Sequence, residues 1–103
     1  MAKILTQVLT SPGGVARWGV VKDKEINNAF SQALGAAKIE QNATDQTSTV
    51  ILENGKIRVT YVHRFPTQAN LDAYMTILNQ YASERNAYNA ANGVEYSQTV
   101  TEE

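Results

Sequence analysis

Asn54-Gly55 lies between two β-favouring runs, Thr47–Glu53 and Lys56–Phe65, and no other feature constrains the fold as tightly. A two-residue Asn-Gly link suits a type I′ turn, which needs positive φ at both central residues and matches the twist of paired strands. That loop sets a register in which Glu53 opposes Lys56, Leu52 opposes Ile57 and Val50 opposes Val59. Leu52, Val50, Ile57, Val59, Tyr61, His63 and Phe65 then share one face, assigned to the core. Ile51, Thr49, Thr47, Arg58, Thr60, Val62 and Arg64 share the other.

Helical and extended patterns flank this hairpin. Ile4–Leu9 reads as a short strand and Ser11-Pro12-Gly13-Gly14 as a turn. A Gly pair cradles phosphate only where a helix starts directly after it. Here Val15–Val21 follows and reads as a second strand, so the turn reading is preferred. Asp23 is placed to cap a helix, with Glu25 in its first turn. Ile26, Ala29, Phe30, Ala33, Leu34 and Ala37 recur at helical spacing. Gly35 weakens that helix by about 1 kcal/mol relative to alanine, or permits close packing. Residues 40–46 are polar and read as a loop.

Beyond Pro66, Thr67 caps a second and longer helix. Leu71, Tyr74, Leu78, Tyr81, Arg85 and Tyr88 form its stripe, and Asn92-Gly93 ends it. Running from Thr67 to Ala91 at ~1.5 Å per residue, it would measure about 37 Å, more than a small sheet can cover. It therefore breaks near Ser83–Asn86, or its last turns lie against another surface. Val94–Val100 is the final strand and 101–103 a frayed end.

The resulting expectation is one α+β domain over residues 1–103, a ferredoxin-like split β-α-β sandwich. Its antiparallel sheet carries two helices on one face, with an extra N-terminal strand. Ile4–Leu9 and Val15–Val21 compete for the central position, and the short link Lys22-Asp23 favours the second. In element order and size the chain resembles the dimeric α+β barrel superfamily, in which two such sheets pack face to face. That superfamily includes cofactor-independent monooxygenases, haem-degrading enzymes and stress-response proteins. The resemblance implies a homodimer through the open sheet face. It rests on no motif and transfers no catalytic residue.

Composition narrows the functional classes. The 103 residues are 43% apolar with a net charge of −1, which suits a globular domain and lacks the basic excess of a nucleic-acid binder. The third strand also lacks the glycine-containing aromatic signature of RNA-binding sheets. No cysteine is present, so disulfides and thiol chemistry are excluded, in keeping with a cytoplasmic location. Polar residues interrupt Met1–Gln7 too early for a signal-peptide core, and no apolar run approaches the ~20 residues of a membrane helix. Asn42-Ala43-Thr44 matches a glycosylation sequon but reads as a polar loop.

His63, the single histidine, is the natural acid–base candidate, against the plainer reading of a half-buried strand residue. One histidine and scattered carboxylates make no metal site, and no cofactor is implied. Arg58 and Arg64 share a strand face and are candidates for an anionic ligand or a partner's carboxylate. Trp18 and Tyr61 are candidate ligand contacts, although a tryptophan in such a strand more often serves the core or an interface. Tyr74, Tyr81 and Tyr88 fall seven apart on the long helix, and Tyr88 lies late enough to meet a partner surface. The leading functional reading is a self-associating binding or structural module. The alternative is a small dimeric oxygenase or haem-degrading type of enzyme, with an aromatic substrate between sheet and helices. A cavity of roughly 300 Å³ or more with convergent polar groups would favour the enzyme.

Overall fold

The structure, a computed structural model, describes residues 1–18 and 29–103, with backbone alone at 29 and 30. Its elements are β1 (Lys3–Ser11), α1 (Ala29–Glu40), β2 (Thr44–Ile51), β3 (Ile57–Phe65), α2 (Gln68–Asn79), α3 (Ala82–Asn92) and β4 (Glu95–Glu102). The sheet order is β2-β3-β1-β4, with every pairing antiparallel. This is an α+β arrangement of a four-stranded open sheet and, among the described residues, three helices, consistent with a ferredoxin-like fold.

The central strand is β1, not Val15–Val21. Leu5, Gln7, Leu9 and Ser11 are buried and alternate with half-covered Ile4, Thr6, Val8 and Thr10. Both edges of β1 are paired, Leu5 lying opposite His63 of β3 and Val100 of β4. The Pro12-Gly13-Gly14 turn then takes the chain off the sheet, with Val15 donating to the Pro12 carbonyl at 3.1 Å and Gly14 at φ 82°. Residues 15–18 are not strand, so the extra N-terminal strand is absent among the described residues. Residues 19–21 lie outside those residues, as do Asp23, Glu25, Ile26 and the side chains of Ala29 and Phe30.

The hairpin forms with a register one residue away from the expected one. Leu52 donates to Lys56 at 2.8 Å and Gly55 to Leu52 at 3.0 Å, so the loop holds three residues, Glu53-Asn54-Gly55. Only Gly55 has positive φ, 81°, as in a type I turn followed by a G1 bulge. Asn54 contributes its side chain, which accepts from the Lys56 amide at 3.1 Å. Ile51 now opposes Ile57 and Thr49 opposes Val59. A one-residue slip moves every β2 side chain to the other face. Thr47, Thr49 and Ile51 therefore lie on the helix side, and Val50 lies on the open side with Arg58, Thr60, Val62 and Arg64. β2 also begins earlier than expected, at Thr44.

Helix ends follow the expected chemistry. Thr67 accepts from the Asn70 amide, and Gly93 closes α3 in the left-handed region at φ 67°. Asn42 takes the same role after α1 at φ 57°, with the Ala43 amide reaching back to Lys38 at 2.9 Å. The long helix does break, at Gln80–Tyr81, earlier than Ser83–Asn86; Gln80 and Tyr81 donate to Ile77 and Leu78 in tighter turns. The C-terminal residues are paired, not frayed. Glu102 lies opposite Lys3, and the Glu103 amide donates to Ala2 at 3.1 Å.

Leu5, Phe65, Ala37, Leu71, Tyr74 and Leu78 make the core between sheet and helices. α1 packs on α2, α2 lies against β1 and β3, and α3 lies against β4. The edge strand β2 extends past this layer, leaving Ile51 77% exposed. On the opposite face of the sheet the described side chains of the four strands are half-covered or exposed.

Candidate functional site

The alternation of β1 and β3 aims two kinds of side chain at the helices. Toward one end, Leu5 and Phe65 fill the core. Toward the other, Gln7 and Tyr61 stand opposite each other, and Tyr96 of β4 joins them through a hydrogen bond from Gln7 Nε2 to its hydroxyl at 2.9 Å. That hydroxyl donates onward to Gln98 Oε1 at 2.7 Å. Here the sheet and helices leave a cavity of about 220 Å³. Ser31, Leu34, Gly35 and Lys38 of α1 form one wall, Tyr74 and Leu78 of α2 the floor, and Arg85 of α3 with Arg17 and Trp18 the far side.

Aromatic rings dominate this wall. His63 lies parallel to Tyr61 at 6.3 Å between centroids and tilted to Tyr74 at 5.6 Å. The Arg85 guanidinium sits over the Tyr96 ring at 4.4 Å and that of Arg17 over Tyr61 at 5.7 Å, both within cation–π range. Trp18 is buried and tilts against Tyr81 at 6.1 Å. Tyr88 holds the segment two residues before Trp18 by donating to the Ala16 carbonyl at 2.6 Å.

His63 is only 3% exposed. Burial, helped by the Lys38 charge, depresses its pKa to about 4 against a partial pull from Asp45. It is neutral at pH 7. Its Nδ1 has no hydrogen-bond partner and stands 4.0 Å from Asp45 Oδ2. That carboxylate instead accepts from Lys38 Nζ at 3.0 Å, which holds Asp45 below its ordinary pKa. Burial and the nearby Asp45 charge push the Tyr74 phenol up, so it remains a proton donor. Among the described residues no cluster of three or more His, Asp or Glu could hold a metal ion, and no helix is long and apolar enough to cross a membrane.

Comparison with known proteins gives a likeness of fold alone. A dimeric ferredoxin-like protein from an uncultured marine organism matches at 6% identity and a TM-score of 0.59, over 98% of this chain and 94% of that one. The de novo designed protein Foldit4 matches at 12% identity and 0.58, over 100% and 99%. A hydantoinase/carbamoylase family amidase from Burkholderia ambifaria matches at 13% and 0.52, over 98% of this chain but 28% of that longer one. No protein-family model and no curated protein matches the sequence.

Of the candidates read from sequence, the structure brings His63, Tyr61 and Trp18 to one cavity and leaves both arginines out of it. Arg64 lies on the open face and forms a two-pronged ion pair with Glu103, each bond 2.7 Å. Arg58 is on the same face, about 20 Å along the strand at ~3.3 Å per residue, too far to share a small anion with Arg64. Among the described residues the cationic groups of the cavity are Arg17, Lys38 and Arg85. One sequence signal pointed to this place: Gln7, a polar residue in the buried register between Leu5 and Leu9. Arg85 on the apolar stripe was another.

Proposed function

We propose that the chain is a ferredoxin-like split β-α-β domain that self-associates through its open sheet face and serves as a small-molecule binding module. The carrying observation is the cavity between sheet and helices, where aromatic rings and polar groups from β1, β3, β4 and all three described helices converge. Such convergence is the mark of a binding site. The opposite face supports self-association. Ile4, Thr6, Val8, Thr60, Val62 and Val50 make a surface of mixed polarity, uncovered by any described element, and a depression of about 370 Å³ at its β2 side is lined, among the described residues, by Gln46, Thr47, Ser48, Thr60 and Val62. A structural neighbour of this fold is described as dimeric.

A second reading, a small dimeric oxygenase of the cofactor-independent or haem-degrading kind acting on an aromatic substrate, draws on the neutral His63 imidazole in the wall. At about 220 Å³ the described cavity is small for a ligand pocket of either kind; the His63 Nδ1 has no hydrogen-bond partner to orient it for proton transfer, which favours the module.

The test is the solution mass by light scattering over a tenfold concentration range, together with Thr60→Arg. The expected result is a dimer that the substitution converts to a folded monomer. A monomer at every concentration would remove the self-association, and an intact Thr60→Arg dimer would move the interface off this face.

A further inference from the structure

The cavity wall is unbalanced in charge. Among the described residues three cationic side chains, Arg17, Lys38 and Arg85, line it, and no aspartate or glutamate does. Lys38 is matched by Asp45 just outside the wall. Neither Arg17 nor Arg85 has a carboxylate partner among the described residues; each lies on an aromatic face instead. The Nε of Arg85 is shut off from solvent without an acceptor. An unmatched donor on a charged group is costly in that position, and a ligand oxygen that draws the guanidinium off the Tyr96 ring would relieve it. Between the two guanidiniums the sheet offers Tyr61 and Tyr96, whose rings suit a flat hydrocarbon better than a flexible chain.

Building on the binding-module reading, we infer that this cavity selects a planar aromatic monocarboxylate, its ring set among Tyr61, Tyr96 and Trp18 and its anionic oxygens answered by Arg85 and Arg17. The aromatic rings of the wall select for a flat ring, and the two guanidiniums select for charge. An aromatic amide of the same shape keeps the first and forfeits the second. An aliphatic acid keeps the charge and forfeits the ring contacts.

Titration calorimetry with 2-naphthoate, 2-naphthamide and octanoate separates these contributions. Two variants accompany it: Arg85→Gln, and Gly35→Leu, which fills the cavity from a helical position where an added Cβ meets no atom within 4 Å. Circular dichroism checks that both are folded. The expected result is naphthoate binding at least tenfold tighter than either analogue, loss of the preference over the amide in Arg85→Gln, and loss of all binding in Gly35→Leu. Equal binding of naphthoate and naphthamide, abolished by Gly35→Leu, would overturn the charge selectivity and leave the binding module standing. Octanoate binding as tightly as naphthoate would overturn the aromatic selectivity in the same way. Binding of none of the three would overturn the inference. The binding-module reading would then be decided separately, by a thermal-shift screen of neutral and cationic compounds against the protein and Gly35→Leu.

Discussion

The Leu52 amide donates to the Lys56 carbonyl at 2.8 Å, and this bond determines which way every side chain of β2 points. It makes the loop three residues long, so the left-handed position falls on Gly55 alone. Gly55→Ala is expected to cost about 1–2 kcal/mol, the usual penalty of an L-residue in that region. The cost is conformational only, because an added Cβ meets nothing within 4 Å. Asn54→Ala loses one exposed side-chain hydrogen bond to Lys56 and is expected to cost under about 1 kcal/mol. Urea unfolding of the two single variants checks the order. Equal losses would indicate positive φ at both positions and a two-residue turn.

The same register places Val59 and Val50 on opposite faces of the sheet. Val59 is 7% exposed beneath the helices, whereas Val50 is 44% exposed on the open face. An aspartate at 59 has no partner for its charge and is expected to abolish cooperative unfolding. An aspartate at 50 lies on the face proposed for self-association and is hydrated once the subunits part, so it is expected to leave a folded subunit that still melts cooperatively. Thermal melts followed by circular dichroism decide this. A Val50→Asp chain that fails to fold as completely as Val59→Asp would return both valines to one face.

Tyr88 and Trp18 are linked through the backbone of Ala16. The hydrogen bond from Tyr88 to that carbonyl, 2.6 Å long, ties the segment carrying Trp18 to α3. As the single tryptophan, Trp18 reports its own burial by fluorescence. Tyr88→Phe keeps the ring and removes the tie, at a cost near 1 kcal/mol. The expected outcome is stronger quenching of Trp18 by acrylamide with no change in secondary structure. Unchanged quenching would show that the contact of Trp18 with Tyr81 suffices to hold the segment.

Local chemistry was legible in the sequence wherever a single residue type determines a conformation. Thr67 caps α2, Gly93 closes α3 and the mid-chain hairpin forms, because each depends on neighbours a few residues away. The hairpin register was not legible, since a loop of two or three residues fits Asn-Gly equally well, and that choice reverses a whole strand. The sequence left Ile4–Leu9 and Val15–Val21 competing for the central strand and favoured the second on the short link Lys22-Asp23 alone, whereas a central position is decided by pairing along both edges, which β1 achieves with β3 and β4. The candidate site was half visible. His63, Tyr61 and Trp18 stand together, but Arg85 and Tyr96 meet them only after α3 folds back onto β4. Arg58 and Arg64 were linked by strand alternation alone, which gives a shared face and not a shared site.

His63 gives the fold a pH dependence whose direction follows from its burial. In the unfolded chain its imidazole titrates near 6.5, and in the folded protein near 4. Between those values the unfolded state holds more protons, so stability declines as pH falls from about 6.5 to about 4 and is level above that window. At ~1.4 kcal/mol per pH unit the full loss is on the order of 3 kcal/mol. Asp45, Glu102 and Glu103 are held below the ordinary carboxylate range by Lys38, Lys3 and Arg64 respectively, so their own losses come at lower pH. His63→Phe preserves the ring packing against Tyr74 and Phe65 and removes an Nδ1 that has no partner. At pH 7 that variant is expected to match the parent within about 1 kcal/mol, and between pH 6.5 and 4 it should become the more stable of the two. Urea midpoints at half-unit intervals of pH measure both curves. Parallel curves through that window would mean that the imidazole takes up its proton in the folded protein as readily as in the unfolded chain, which the burial of His63 does not allow.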